Sequence, residues 1–201
     1  MSTTATPETI ELPQPKSAGG MPLHEVLARR RSRREYLDRG LTAEQIGQLC
    51  WAGQGITSAH GFRTAPSAGA LYPIVLFVAD ERGVFEYQPQ KQRLVPRVSG
   101  DQRRRLERAA LGQDCVGSAP VCLIVTYDPG RLSGKYGRRS ERYCWLEAGH
   151  VAQNILLQAT SMDLASAPIG AFHDQSVAKT LQLPSRLHPA YLLPIGYPVE
   201  E

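Results

Sequence analysis

Apolar residues recur every three or four positions along five stretches of the chain, which is the spacing of amphipathic helices. Thr42 and Gln45 form a capping box at the start of one of them, and Pro22 stands at a first-turn position of another. The predicted helices cover about 22–32, 42–53, 101–111 and 141–162, followed by a short one from 174.

Shorter apolar runs predict strands between these helices. The runs 73–79 and 83–88 flank a tight turn and are typical of a β-hairpin. The run 120–127 is apolar without interruption, which indicates a central strand buried on both faces. A last strand is expected near 189–195, and the basic, glycine-rich stretch 129–140 is interpreted as a loop.

The predicted helix 141–162 has apolar residues around most of its circumference rather than along one stripe. Such a helix is buried on several sides, so in a chain of this size we expect it to form part of a subunit interface. His150 lies on this helix and is interpreted as a hydrogen-bonded core residue rather than a catalytic one.

Composition restricts the class of protein. Apolar residues make up 42% and charged residues 21% of the 201 positions, which excludes a disordered or fibrous chain. We expect an extended arm over 1–20, rich in Thr, Pro, Ser and Gly, and a single domain over 21–201. The four cysteines form no C-x-x-C pair and no signal peptide or long apolar run is evident, so a cytoplasmic protein with reduced cysteines and no membrane association is expected.

Five arginines and a serine follow one another closely over 29–34. Arginine binds phosphate through a planar pair of donors, so the cluster is a candidate phosphate site. A solvated charged face and a nucleic-acid patch are the alternatives. The net charge of +4 is too small to imply nucleic acid, and the basic residues are not interleaved with aromatics as in a binding stripe.

Two loops of small residues could approach a flat ligand closely. The first spans 65–73 and contains Gly69, and the second spans 167–172 and could present successive backbone N–H groups. Each could equally be a simple connection. The sequence has no G-x-S-x-G elbow, P-loop or G-x-G-x-x-G motif, and its histidines lack metal-ligand spacing.

Taken together and in order, these segments resemble the nitroreductase family, and more closely its SagB-type dehydrogenase branch, which includes azoline oxidases of ribosomal peptide biosynthesis. The resemblance covers about residues 10–198. It is carried by the segments 11–15, 30–34, 49–57, 63–73, 147–154 (Glu-Ala-Gly-His-Val-Ala-Gln-Asn) and 168–172 (Pro-Ile-Gly-Ala-Phe).

The resemblance implies an α+β, three-layer fold whose central mixed, largely antiparallel sheet is flanked by helices. It also implies an intertwined homodimer with two FMN sites at the interface. The chain would then be an oxidoreductase that transfers hydride through flavin N5 to or from a small molecule, with NADH or NADPH as the candidate co-substrate. No side chain need act as a nucleophile, because the flavin carries the chemistry.

Site residues carried over by the resemblance fall into three groups. Arg30, Arg31 and Ser32 would hold the phosphate and ribityl chain, and Arg34 would lie near flavin N1 and O2. The Gly170 N–H would reach N5 and the Ala171 N–H would reach O4, which favours the reduced ring. The remaining lining residues would be Pro66, Ser67, Ala68, Gly69, Pro168 and Ile169.

The chain departs from the family pattern at two places. Many members have Glu where Gly170 stands, and many have a basic phosphate-binding residue beyond the final Gly-Tyr-Pro, where this sequence ends at Glu201. Phosphate binding is therefore expected to depend on the Arg30 cluster, with a contribution from the partner subunit. Azoline oxidation with oxygen as acceptor and a non-catalytic flavin-binding protein are the alternative functions.

Overall fold

The computed structural model describes residues 8–199, and the first seven residues of the expected arm and the acidic residues 200–201 lie outside this range. The strands are β1 (Ile10–Glu11), β2 (Ile74–Asp80), β3 (Gly83–Gln88), β4 (Arg93–Ser99), β5 (Val121–Tyr127), β6 (Ala165–Ser166) and β7 (His188–Gly196). The helices are α1 (Leu23–Arg29), α2 (Ala43–Gln54), α3 (Arg103–Ala109), α4 (Asp114–Ser118), α5 (Gly130–Tyr136), α6 (Ser140–Ser161) and α7 (Asp174–Thr180).

The strands form one sheet in the order β1-β4-β3-β2-β5-β7-β6. Every pair of neighbouring strands is antiparallel, so the sheet is antiparallel rather than mixed. The one parallel element among the described residues is an isolated bridge between Ser32 and Ser166. Residues of the expected arm thus join the sheet at one edge, where Ile10 and Glu11 pair with β4.

Helices cover both faces of this sheet, which confirms the three-layer α+β architecture. Strand β5 is buried at every position, as its apolar run predicted. Leu123 and Val125 point to a core shared with α2 and α6, whereas Cys122 and Ile124 point to a core shared with α3, α4 and α7. All four cysteines are buried and none forms a disulfide.

Helix α2 is confirmed with its capping box, since the Thr42 side chain accepts a bond from the Gln45 amide and the Gln45 side chain accepts one from the Thr42 amide.

The expectations for the end of the first helix and for the stretch 129–140 were wrong. Helix α1 ends at Arg29, before Ser32, because the chain beyond it takes an extended path beside β6. The stretch 129–140 is not a loop: Asp128 Oδ1 accepts a 3.0 Å bond from the Gly130 amide, and α5 follows.

The long helix α6 forms as predicted, but its outer face is exposed in the single chain. Trp145 and Leu146 keep 50% and 53% of their surface, and Leu23 and Leu27 of α1 are also exposed. The interpretation of His150 as a core residue was wrong, because it lies one turn after Leu146 on this exposed face. Within residues 8–199, no helix has the length and apolar character needed to cross a membrane.

Candidate functional site

Two of the three predicted ligand-binding segments lie side by side. The Arg33 amide donates a 3.1 Å hydrogen bond to the Ser166 carbonyl, and Ser32 forms its parallel bridge with the same residue. Strand β6 is the last strand of the sheet, so its outer edge is available for this pairing. Pro168 follows two residues after Ser166, which brings the arginine segment 30–34 next to the loop 168–171.

The loop 168–171 presents two adjacent amides. Ile169 is fixed by reciprocal bonds with Leu192, of 2.9 and 3.0 Å, and the chain then turns away from the sheet. Gly170 and Ala171 are exposed, and neither amide N–H makes a hydrogen bond to any residue within 8–199. The Ala171 carbonyl is oriented by a 2.9 Å bond from Gln113 Nε2. Consecutive N–H groups of this kind suit an electron-rich acceptor.

The arginines of the segment 30–34 differ in their surroundings. Arg31 donates to the carbonyls of Ala28 and Arg30, at 2.9 and 2.8 Å, and so caps the end of α1. Arg30 and Arg34 form no ion pair with any carboxylate in the described part of the chain. These two guanidinium groups therefore remain available to an anion.

Arg34 belongs to the segment that pairs with Ser166, next to the loop of the exposed amides. Burial raises the pKa of the Cys115 thiol, and the positive charge of Arg34 opposes that rise. Cys115 follows two residues after Gln113, whose side chain holds Ala171. A cation and two N–H donors thus belong to neighbouring segments, where negative charge would be stabilised.

The third predicted segment, 65–73, contains a tightly wound loop over residues 66–72. Gly69, Ala70 and Tyr72 have φ values of +61°, +55° and +49°, in the left-handed region. The Tyr72 amide donates a 2.9 Å bond to Ser67 Oγ, which closes the loop. Holding two non-glycine residues in this region requires support from the surroundings, so the loop has a defined shape.

Lys135 and Tyr136 cover this loop. A Cβ placed on Gly69 would lie 2.8 Å from Lys135 Nζ and 2.9 Å from Tyr136 Oη, so both polar tips reach the Gly69 backbone. The sequence did not single out either residue, because both fall in the stretch expected to be a loop. The position of α5 brings them to the loop, and the sequence pattern contained no signal for that contact.

The profile of the nitroreductase family matches residues 27–197, which is most of the chain. The chain belongs to the nitroreductase family. Members of this family are generally oxidoreductases that bind FMN and use NAD(P)H.

Individual relatives agree with this assignment. A Methanocaldococcus jannaschii protein that is named as a nitroreductase is 37% identical over 184 residues, which cover 89% of this chain and 92% of that protein. A crystal structure of a nitroreductase-like protein from Ralstonia eutropha JMP134 superposes with a TM-score of 0.88 at 29% identity, covering 100% of this chain and 93% of the other. The Escherichia coli microcin B17-processing protein McbC is 30% identical over 62% of this chain, which corresponds to 50% of McbC.

In this nitroreductase-family chain, a buried carboxyl group lies beside the loop 66–72. Glu147 of α6 is 2% exposed, and neither carboxylate oxygen has a hydrogen-bond partner in residues 8–199. Burial raises its pKa to about 7, while the Ser67 hydroxyl and the charges of Arg63 and Arg131 act in the opposite direction. Glu147 belongs to the segment 147–154, in which the sequence pattern indicated no role for this residue.

Within the described residues, hydrogen bonds bring together only two of the three predicted site segments. The segments 30–34 and 168–171 are adjacent, but no hydrogen bond between described residues joins either of them to the loop 66–69. A cavity of about 660 Å³ lies between residues 14–21 and the helices α1, α2 and α6, and none of the twelve predicted site residues lines it.

Proposed function

We propose that this nitroreductase-family protein is an FMN-dependent oxidoreductase. The observation that carries the proposal is the backbone pairing of Arg33 with Ser166, which sets a cationic segment beside the amides of Gly170 and Ala171. A cationic segment can bind a phosphate group, and the two amide N–H groups can bind an electron-rich ring system. FMN combines both groups in one molecule of suitable length.

The residues present fit this cofactor. Arg30 and the Ser32 hydroxyl would hold the phosphate, and Arg31 would help by fixing the end of α1 in front of them. Arg34 and the N–H groups of Gly170 and Ala171 would face the ring. Each of these donors stabilises negative charge, so together they favour the reduced cofactor over the oxidised one.

When bound, FMN would supply hydride transfer through its N5 atom. The protein's own contribution would be to orient the substrate and to hold protons. Lys135 Nζ and Tyr136 Oη, which meet at Gly69, are the polar side chains best placed to exchange a proton with a substrate near the loop 66–69.

We further propose that two chains assemble as a homodimer and that the loop 66–69 of one chain completes the site of the other. The support is that no hydrogen bond within residues 8–199 joins the loop 66–69 to the other two segments, together with the exposed apolar residues Leu23, Leu27, Trp145 and Leu146. Exposed apolar patches on two neighbouring helices are typical of a protein interface.

The decisive experiment is an anaerobic titration of the purified, FMN-saturated protein with NADH and with NADPH, followed by absorbance near the flavin maximum. Rapid bleaching by either nucleotide, followed by reoxidation on adding a nitroaromatic compound, is the expected result. A protein that binds FMN but turns over no electron acceptor would be a flavin-binding protein, and the proposed activity would then be wrong.

The similarity to McbC favours a second candidate, which is oxidation of an azoline ring in a peptide-derived substrate. In that reaction a hydride and a proton leave the ring and oxygen is reduced to hydrogen peroxide, so a proton acceptor is needed beside the ring. Lys135 and Tyr136 would provide it. Reduction of the bound FMN by a thiazoline peptide, but not by NADH or NADPH, would select this candidate.

A further inference from the structure

Strands β2 and β3 separate at one end and leave a cleft between them. Their pairing runs from Asp80 with Gly83 to Phe77 with Glu86, although both strands continue beyond it. Further on, each remains paired with its other neighbour, β2 with β5 and β3 with β4. The space between them, here named the β2–β3 cleft, has a volume of about 420 Å³ and is lined by 74–76, 86–91, Gln54, Arg63, Arg93 and Arg131.

The charge of this cleft is strongly positive. Its lining includes Arg63, Lys91, Arg93 and Arg131, against one carboxylate, that of Glu86. The Glu86 carboxylate accepts hydrogen bonds from Arg97, which lies outside the lining, so the negative charge of Glu86 is already offset. Two carboxylates outside the lining approach its cations, Glu11 at 4.0 Å from Arg93 and Asp128 at 3.9 Å from Arg131. The lining itself keeps an excess of cations, which is a frequent feature of anion sites.

Arg63 and Arg131 are fixed on the two sides of Tyr72. The Arg63 guanidinium stands 4.6 Å from the centre of the Tyr72 ring, and Arg131 donates a 2.7 Å bond to the Tyr72 carbonyl. Burial lowers the pKa of Arg63 and the nearby charge of Arg131 lowers it further. Two like charges are therefore held near one another, with Asp128 3.9 Å from Arg131 and the Glu147 carboxyl group acting against the fall in the pKa of Arg63.

Gln54 adds a buried donor to the same wall. It is 1% exposed, and its Oε1 accepts a bond from the Arg63 guanidinium. Its Nε2 has no hydrogen-bond acceptor among residues 8–199. Buried donors are nearly always paired in folded proteins, so a donor left over beside the Arg63 guanidinium points to an external acceptor.

We propose that the β2–β3 cleft binds a phosphoryl group. A dianion with several oxygens can accept from Arg63, Arg131 and a further donor at once, whereas a single carboxylate offsets only one of the charges. This site shares no residue with the segment 30–34 or the loop 168–171. It is connected to the loop 66–72, because Tyr72 Oη accepts a 3.2 Å bond from the Arg63 amide.

The test is calorimetric titration of the FMN-saturated protein with inorganic phosphate, at an ionic strength held constant with chloride. Saturable binding is expected, and Arg131→Gln should weaken it at least tenfold, since Arg131 is on the rim and its removal leaves the core intact. Arg63→Gln should have an equal or larger effect. Arg108→Gln is the matched control, because Arg108 is an exposed arginine of α3 that does not line the cleft, and it should change the affinity less than twofold.

The variant Arg30→Ala separates this site from the proposed flavin site. If Arg30→Ala abolishes phosphate binding and Arg131→Gln does not, phosphate occupies the arginine segment and the proposal is wrong. Absence of saturable binding, or equal loss in Arg108→Gln, overturns it too. The proposed FMN function is tested independently by the flavin spectrum of the same samples.

Competition identifies the source of the phosphoryl group. ADP-ribose, which carries the diphosphate of a nicotinamide dinucleotide but cannot donate hydride, should displace phosphate at lower concentration if a nucleotide is the ligand. Displacement only at concentrations similar to phosphate itself assigns the site to the free anion. Adenosine should not displace phosphate, and displacement by this uncharged nucleoside would contradict recognition through charge.

Discussion

The amide of Arg33 donates to the carbonyl of Ser166 at 3.1 Å, and this bond joins two distant parts of the sequence. One part carries the arginines that follow α1, and the other leads into Pro168 and the exposed amides of Gly170 and Ala171. Because the bond is between backbone atoms, it fixes the relative position of the two segments whatever their side chains are. This arrangement supports the proposed binding of a molecule with an anionic end and an electron-rich ring.

The phosphate assignment predicts a selective loss of cofactor affinity. Arg30→Ala should weaken FMN binding by roughly ten- to a hundredfold, since a charge-assisted hydrogen bond contributes about 1.5–3 kcal/mol. Riboflavin, which lacks the phosphate, should bind the variant and the wild type alike. Fluorescence titration with both flavins measures this.

The control for Arg30→Ala is Arg108→Ala, which removes an exposed arginine from α3 and should leave FMN affinity unchanged. Equal affinity of the wild-type protein for FMN and riboflavin would contradict the roles given to Arg30 and Ser32.

Arg34 should act on the redox potential rather than on affinity. Its charge lies beside the Gln113–Cys115 turn that holds Ala171, so Arg34→Ala should lower the two-electron midpoint potential of bound FMN. A selective loss of about 1.4 kcal/mol corresponds to roughly 30 mV. Arg34→Lys should recover part of the shift, because charge matters more than shape at this position.

Potentiometry with reference dyes measures the effect. If Arg34→Ala left the potential unchanged while Arg30→Ala lowered it, the two roles would be reversed.

Local pattern was sufficient to predict the layers of the fold. The capping box at Thr42, the uninterrupted apolar run of β5 and the length of α6 are properties of neighbouring residues, and each was confirmed. Tertiary contacts decided the rest. Gly130 and Gly134 suggested a loop, but the bond from the Gly130 amide to Asp128 begins α5 there. The exposure of His150 likewise depends on which face of α6 packs against the sheet.

The site was predictable only in part for the same reason. Arginine spacing and small-residue loops identify the segments 30–34, 66–69 and 168–171 as candidates, but no sequence period indicates that Ser32 bridges Ser166. Lys135 and Tyr136 reach Gly69 through the packing of α5, and the burial of Glu147 results from the loop folding over it.

The proposed dimer is tested on the outer face of α6. Leu146→Asp places a charge in the proposed interface, and a twofold interface contains the change twice. We expect the dimer dissociation constant to rise at least roughly a hundredfold, as measured by analytical ultracentrifugation. Leu111→Asp is the matched control, since Leu111 is 58% exposed and lies away from α6, and it should leave the dimer intact. A wild-type protein that is monomeric at micromolar concentration with FMN bound would rule out the dimer.

Glu147 should make stability dependent on pH. Its pKa is raised from 4.5 to about 7 in the folded protein, so folding favours its protonated form. Stability from this group is therefore fully present below pH 4.5 and is lost as the pH rises through 7. A shift of this size corresponds to about 3 kcal/mol.

Glu147→Gln should remove most of this dependence and unfold at higher denaturant concentration than the wild type at pH 8. Urea titrations at pH 5 and pH 8 measure it. Glu25→Gln, which removes an exposed carboxyl group from α1, should retain the wild-type dependence.

Gly69 offers the sharpest test of the loop that Lys135 and Tyr136 cover. Gly69 and Gly61 both have positive φ values, +61° and +80°, so alanine at either position costs about 1–2 kcal/mol of stability. The two positions differ in space: a Cβ at Gly69 would lie 2.8 Å from Lys135 Nζ and 2.9 Å from Tyr136 Oη, whereas a Cβ at Gly61 would contact nothing within 4 Å. Gly69→Ala should therefore displace both polar tips and lower kcat at least tenfold, while Gly61→Ala should lose stability without losing kcat. Steady-state turnover and thermal unfolding of the two variants separate strain from displacement, and equal kcat values in both would show that the contact at Gly69 has no role in the reaction.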